Sequence, residues 1–241
     1  MSNSLKLNVL AFGAHPDDVD ACVGGTLAAT VKQGLKVGVI DLTSGDNSET
    51  AGGFTRVKES LESAKILGLS VRENLYFSER EFKDVENENK LIEIIRMYQP
   101  DIVMLPHWYD RHKGHRDASE LLERAIQLAK YSKILPASKA YKVRLVLYYM
   151  IHYDFKPAFV FDISDTYQQK LKALYCHKSQ IFKQGVNGKY TKTMLDPDFF
   201  EAWEARSRWL GYSSGFKYGE AFDMRRSPGL KSLNSLTNLY R

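Results

Sequence analysis

Leu5, Leu7 and Val9 alternate with polar positions, and the chain then becomes wholly apolar through LAFGA. Alternation that merges into a continuous apolar run fits a strand buried on both faces. The next stretch, GGTLAATVKQG, changes period: Val23, Leu27, Ala28 and Val31 share one helical face, and Gly34 fits a C-terminal cap. The two periods then repeat. KVGVIDLT predicts a second buried strand. A helix over Thr55–Leu67 turns Val57, Leu61, Ala64 and Leu67 inward and closes at Gly68, and VRENLYF predicts a third strand. Leu91, Ile92, Ile95 and Tyr98 mark a helix that stops before Pro100. DIVMLP follows as a short apolar strand, and Asp117–Tyr131 as a helix with Ala118, Leu121, Leu122, Ala125 and Leu128 inward. Strands alternating with helices predict an α/β fold: a Rossmann-like, mostly parallel sheet with helices on both faces and right-handed crossovers.

After Met150 the pattern changes. RLVLYYM and AFVFDIS read as consecutive strands, an antiparallel addition to the sheet. Ser164 is placed to cap a helix reaching about Cys176, and a last helix runs from about Asp198 to Leu210. The tail from Arg225 onward is polar and reads as loose. No linker, repeat or low-complexity stretch intervenes, so residues 1–241 read as one domain.

Composition narrows the function. Hydrophobic residues at 44% supply a core and exclude a disordered chain. The net charge of +5 is spread without a long basic run, which argues against nucleic acid and suits an anionic small substrate. Two cysteines, Cys22 and Cys176, indicate no disulfide scaffold and a reducing compartment. Cys22 lies near the first candidate loop, but a small buried apolar role is favoured over a ligand role. The start of the chain shows no basic segment followed by a long apolar core, and no run is long enough to span a bilayer, so a cytoplasmic protein is expected.

In open α/β sheets ligands bind beyond the carboxyl ends of the strands. Three polar loops fall at such ends: His15-Pro16-Asp17-Asp18, then TSGDNSETAGGFTR (Thr43 to Arg56), then HWYDRHKGH (His107 to His115). They hold His15, His107, His112 and His115, four of the six histidines. Two adjacent carboxylates repel each other and resist desolvation, so Asp17 and Asp18 call for a compensating cation. A His-x-x-Asp pair joined by a histidine from another loop gives two imidazoles and one carboxylate, a zinc-type set with one position left for water. One aspartate of the pair would hold the cation and the other would face the water. Alone, His-x-x-Asp is equally a capping aspartate and a packed histidine; the DRHKGH loop tips the balance toward metal. Gly24 and Gly25 either offer N–H groups to an anion or serve helix–sheet packing. No convincing Cys-His constellation is present, which weighs against nucleophilic catalysis.

These residues resemble the PIG-L/LmbE-like zinc deacetylases, which act on N-acetylglucosamine linked to another group. The likeness rests on Ala14-His15-Pro16-Asp17-Asp18, on Gly24-Gly25-Thr26, on Arg56 and Glu59 in a helix ending Leu67-Gly68, on DRHKGH, and on LYYM, FDIS, Ser179-Gln180 and YGEAF. Within the family the bacillithiol-biosynthesis type, which deacetylates N-acetylglucosaminyl-malate, is the most alike. The resemblance implies one zinc ion on His15, Asp18 and His115, Asp17 as general base, and a protonated His112 as the group that polarises the amide or acts as acid. Arg56 would contact an anionic part of the substrate, Arg111 is the second candidate for that contact, and a homo-oligomer is implied. Three features depart from the family pattern. Gly114 stands where an aspartate supports the first histidine, leaving Asp110 or Asp117 to compensate; SGDNSET replaces R-G-E-L-G-T; and a tyrosine near Phe199 is absent. Gly114 motivates an alternative, a metal- and sugar-binding module with weakened turnover. A non-metal nucleotide-binding α/β protein is the third reading.

Overall fold

The computed structural model describes residues 5–45, 52–181 and 197–232. The strands are β1 (Val9–Gly13), β2 (Val37–Asp41), β3 (Val71–Asn74), β4 (Ile102–Pro106), β5 (Leu145–Tyr149), β6 (Phe159–Asp162) and β7 (Gly219–Asp223). The helices are α1 (Asp18–Lys32), α2 (Gly53–Leu67), α3 (Val85–Tyr98), α4 (Lys113–Ala129), α5 (Tyr167–Leu174), α6 (Lys178–Ile181) and α7 (Pro197–Ser213). The strands form one sheet in the order β3-β2-β1-β4-β5-β7-β6. β1 lies between β2 and β4, parallel to both, as the alternation of periods predicts. Its pleat sends Leu10 and Phe12 to the layer of α3 and α4, and Val9 and Ala11 to the layer of α1. All five β1 residues are buried, which is why the sequence there is apolar without alternation.

The structure corrects the C-terminal expectation. β5 extends the parallel set beside β4. The strand from AFVFDIS does not pair with it; β7 lies between β5 and β6, antiparallel to both. β7 (GEAFD) carries a glycine and a buried glutamate, and has neither the apolar run nor the hairpin turn that marks a strand. Helix onsets also move. α1 begins at Asp18, not Gly24, and α4 at Lys113, not Asp117. Both first turns carry polar residues that are buried, so apolar periodicity starts a turn or more too late. Thr166, not Ser164, precedes α5; the Ser164 hydroxyl instead donates to Asp162 Oδ1. β3 stops at Asn74, where Tyr76 turns into the left-handed region at φ 55°.

Gly25 resolves toward packing. A Cβ there would meet the Ile163 side chain at 2.8 Å. The N–H groups of Gly25 and Thr26 donate to the buried Glu220 carboxylate at 3.1 and 2.7 Å, and Glu220 also accepts from Lys170 Nζ at 2.7 Å. The glycine pair therefore locks α1 to β7 and α5 and offers no anion site. Glu59 likewise faces α6, accepting from the N–H and hydroxyl of Ser179 at 2.8 and 2.6 Å. No helix of the described residues is long and apolar enough to cross a membrane. Residues 46–51 of the SGDNSET loop and the tail beyond 232 lie outside the described residues.

Candidate metal centre and active site

The chain leaves β1 at Gly13 and enters α1 at Asp18, so His15-Pro16-Asp17 forms a tight connection at the carboxyl edge of the sheet. Gly13 is required there: a Cβ would lie 2.8 Å from the His15 carbonyl oxygen. The connection is held from three sides. Thr43 donates both its N–H and its hydroxyl to the Ala14 carbonyl, Arg72 donates to the Pro16 carbonyl, and the His15 N–H donates to Asp18 Oδ2 at 2.9 Å. α4 begins at the end of the neighbouring β4 loop and brings His115 in its first turn to the same point.

Three donor groups meet there. His15 Nδ1 and His115 Nε2 are 3.3 Å apart, His115 Nε2 is 3.3 Å from Asp18 Oδ1, and His15 Nδ1 is 3.4 Å from Asp18 Oδ2. Tetrahedral zinc with ligands at about 2.0–2.1 Å spaces its donors about 3.3–3.4 Å apart. The spacing and the two-imidazole, one-carboxylate chemistry both fit the ion.

The second ring nitrogens are also committed. His15 Nε2 lies 2.9 Å from Glu79 Oε1, and His115 Nδ1 lies 3.0 Å from Asp110 Oδ1. A carboxylate on the far nitrogen fixes the tautomer and leaves the near nitrogen as a lone pair for a metal. The electrostatics match. Burial alone would lower both histidines, but Asp18 and Glu79 push His15 up to about 9, and Asp18 and Asp110 push His115 up to about 10. Burial would raise Asp18, yet the two imidazoles hold it well below the carboxylate range. The cluster is built to hold positive charge.

Asp17 faces elsewhere. It precedes α1 but makes no side-chain cap hydrogen bond; Oδ1 accepts from Arg56 Nη2 at 2.7 Å, and both residues are buried. Arg56 Nη1 also donates to the Gly45 carbonyl at 3.3 Å. Gly45 sits at φ 72°, and a Cβ there would fall on the guanidinium. Two of the Arg56 donors thus orient Asp17 and tie the Gly45 carbonyl, while Nε is buried with no partner among the described residues. Arg111 is exposed, and its backbone carbonyl accepts from Arg116. His112 is half-buried, its ring centroid 5.2 Å from that of His15 and 4.6 Å from that of His115. Burial, then the charges on His115 and His15, lower its pKa and favour the neutral imidazole. Its Nδ1 is buried with no partner among the described residues.

Two members of the site escaped the sequence reading, and one expected member is absent. Glu79 comes from a single 3-10 turn (Glu79–Glu81). His152 follows β5 and gives its Nδ1 to Asp110 at 2.9 Å; its place at the carboxyl end of a strand was the available signal. His107 belongs instead to an aromatic stack, between Trp108 at 3.8 Å and Phe155 at 4.5 Å. Of the two candidates to compensate Gly114, Asp110 supports His115, while Asp117 is tied to Lys113. Burial raises the Cys22 thiol well above its ordinary range, and Cys22 joins no cluster of metal-ligating groups among the described residues.

A family model described as PIG-L: GlcNAc-PI de-N-acetylase matches residues 10–126, a span that runs from within β1 to within α4 and includes every residue of the donor triangle. The conserved protein TT1542 from Thermus thermophilus is 31% identical, superposes with a TM-score of 0.83, and is covered over 97% of its length by 93% of this chain. The chain belongs to the PIG-L/LmbE family. Diacetylchitobiose deacetylase of Thermococcus kodakarensis is 29% identical over 95% of this chain and 85% of that protein. 4-Oxalmesaconate hydratase of Pseudomonas putida is 25% identical over 74% of this chain and 76% of that protein. This PIG-L/LmbE member is thus similar to proteins named for two different reactions, and its own site must decide between them.

Proposed function

We propose that this protein is a zinc-dependent N-deacetylase that hydrolyses the acetamide of an N-acetylglucosamine conjugate. The observation that carries the reading is the triangle of His15, Asp18 and His115 donors at zinc spacing, with a second, separately oriented carboxylate, Asp17, in the adjoining position. A zinc ion bound there would bring the pKa of a bound water toward about 7 and polarise the acetamide carbonyl. Asp17, held through one oxygen by Arg56, takes the water's proton on its other oxygen and passes it to the departing amine. His112, neutral and beside the triangle, donates one N–H to the developing oxyanion. Water and amide give acetate and a free amine, with the proton moved through Asp17. Tyr109 and Tyr153, 59% and 40% exposed with ring centroids 4.9 Å apart, flank Asp110 and His152 and offer aromatic faces to a sugar.

The test is acetate release from N,N'-diacetylchitobiose and from N-acetylglucosaminyl-malate, the latter being the bacillithiol-type substrate. Zinc-loaded wild type is compared with Asp17→Asn. Activity on either conjugate, reduced about 10²–10⁴-fold in the variant, is the expected result. Hydration of an unsaturated dicarboxylate without acetate release from any N-acetylglucosaminide would sink the reading. Zinc bound without turnover on either class would favour the binding-module alternative that Gly114 first suggested.

A further inference from the structure

Glu79 lies 64 residues from His15 in sequence and reaches it from an otherwise unremarked turn. The route there is specified. Leu75 and Phe77 donate their N–H groups to Asp41 and Leu42, extending the edge of β2 beyond β3. Between them Tyr76 holds φ 55°, with its N–H on Asn74 Oδ1 at 2.8 Å, while Asn74 Nδ2 donates to the Thr43 carbonyl at 2.7 Å. The left-handed region is sterically unfavourable for a bulky residue. The surroundings over-determine it here, and the result is to aim the following turn at the metal centre. Ser78 Oγ caps that turn by accepting from the Arg80 N–H, and Phe82 anchors it in the core.

The other side of the seat is Gly114. A Cβ on that residue would lie 2.5 Å from Glu79 Oε2 and 3.0 Å from His112 Cε1. A side chain at 114 would require the Glu79 carboxylate, the far end of its side chain, to shift from where it stands. We propose that Glu79 is a positioning residue of the metal centre, holding His15 through Nε2 so that Nδ1 faces the ion, and that Gly114 is the vacancy which admits it. With Glu79 in place, the metal centre has a carboxylate on His15 without one at 114. The inference rests on the metal-centre reading.

A double-mutant cycle tests it, with zinc affinity measured by competition against a fluorescent chelator and zinc stoichiometry measured in parallel. Removing the carboxylate partner of a metal-bound histidine costs about 10–100-fold in affinity, the expectation for Glu79→Ala and for the isosteric Glu79→Gln. Gly114→Asp in the wild-type background drives Glu79 off His15 and weakens zinc as well. In the Glu79→Ala background the same Gly114→Asp change fills the space just emptied and restores at least about tenfold of the affinity, the lower end of that same range. This reversal of sign is the signature of shared space and shared function. Unfolding midpoints of the zinc-free variants show which have folded, and Glu79→Gln keeps the shape of the turn where Glu79→Ala does not. Affinity unchanged in Glu79→Gln, or Gly114→Asp harmful in both backgrounds, would overturn the inference while leaving the metal centre intact. Two zinc ions per chain, the second lost with Glu79, would make Glu79 a ligand together with His15 and His112 and would also overturn it. A wild type that binds no zinc removes both the inference and the reading beneath it.

Discussion

Asp18 and Asp20 are two residues apart in the first turn of α1, both are buried, and they are satisfied in opposite ways. Asp20 is closed. Arg72 reaches it at 2.8 Å while also binding Asp41 at 2.9 Å, His177 Nε2 lies at 3.1 Å, and Ser63 donates its hydroxyl. Asp18 is paired with no arginine or lysine among the described residues. Its partners are His15 and His115, which release their protons when a metal takes their place. Neighbouring helix positions point about 100° apart, so two residues separate the carboxylates onto different sides of one helix. The buried carboxylate beside a permanent cation is structural. The one facing exchangeable protons belongs to the chemistry. Asp17, next to Asp18 in sequence, is the intermediate case: fixed by Arg56 through one oxygen, with no hydrogen-bond partner for the other among the described residues.

The largest effect should come from the open side. Asp18→Asn keeps an acceptor for the His15 N–H but loses the charge that a divalent ion needs. Loss of a ligand should exceed the loss of a ligand's partner, so zinc affinity should fall by more than about 100-fold. Chelator competition reads the affinity, and zinc-free unfolding should change far less than for the variant that follows. Retention of zinc at wild-type affinity would mean that the ion sits elsewhere.

The closed side should fail as structure. Arg72→Met leaves Asp20 and Asp41 buried without their cation and the Pro16 carbonyl without its donor. Breaking a buried pair by removing one partner costs about 3–5 kcal/mol, and for a chain of this size that lowers the unfolding midpoint by about 6–20 °C. Calorimetry on the zinc-free variant measures it. A midpoint within about 2 °C of wild type, less than about 1 kcal/mol, would show that water or rearrangement relieves the aspartates, and the contrast with Asp18 would collapse.

How much of this was legible in the chain follows from distance along it. His15, Asp17 and Asp18 fall within four residues and announce a cation at once, because crowded carboxylates need one. The parallel half of the sheet is equally clear, since strands buried on both faces must be apolar throughout. Polar residues that are buried by pairing give no such signal. The onset of α1 at Asp18 is hidden because its first turn keeps its charge inside ion pairs. β7 is hidden because Glu220 looks like a surface residue until Lys170 and the Gly25 and Thr26 N–H groups are seen around it. Glu79, in the charged string FSEREF, is indistinguishable from a solvated loop, and only the tertiary fold brings it to His15.

The finest test of the contrast lies in acid. Burial would raise Asp20, but Arg72 and His177 overcome burial and hold it well below the 3.8 of an ordinary aspartate. A carboxyl held below its unfolded value binds fewer protons in the native state than in the unfolded one. Its stabilisation is therefore complete above about pH 4 and is lost as the pH falls through and below that value. Unfolding midpoints of wild type between about pH 5 and pH 3 should decline with a contribution from Asp20 of up to about 1.4 kcal/mol per pH unit. Asp20→Asn should be less stable at neutral pH and should show a shallower decline. The metal ligands are common to both proteins, so acid release of zinc affects the two curves alike and the difference in slope belongs to Asp20. Parallel curves would mean that Asp20 titrates normally in the folded protein. Arg72 would then be paired chiefly with Asp41, and the division of labour along α1 would rest on Asp17 and Asp18 alone.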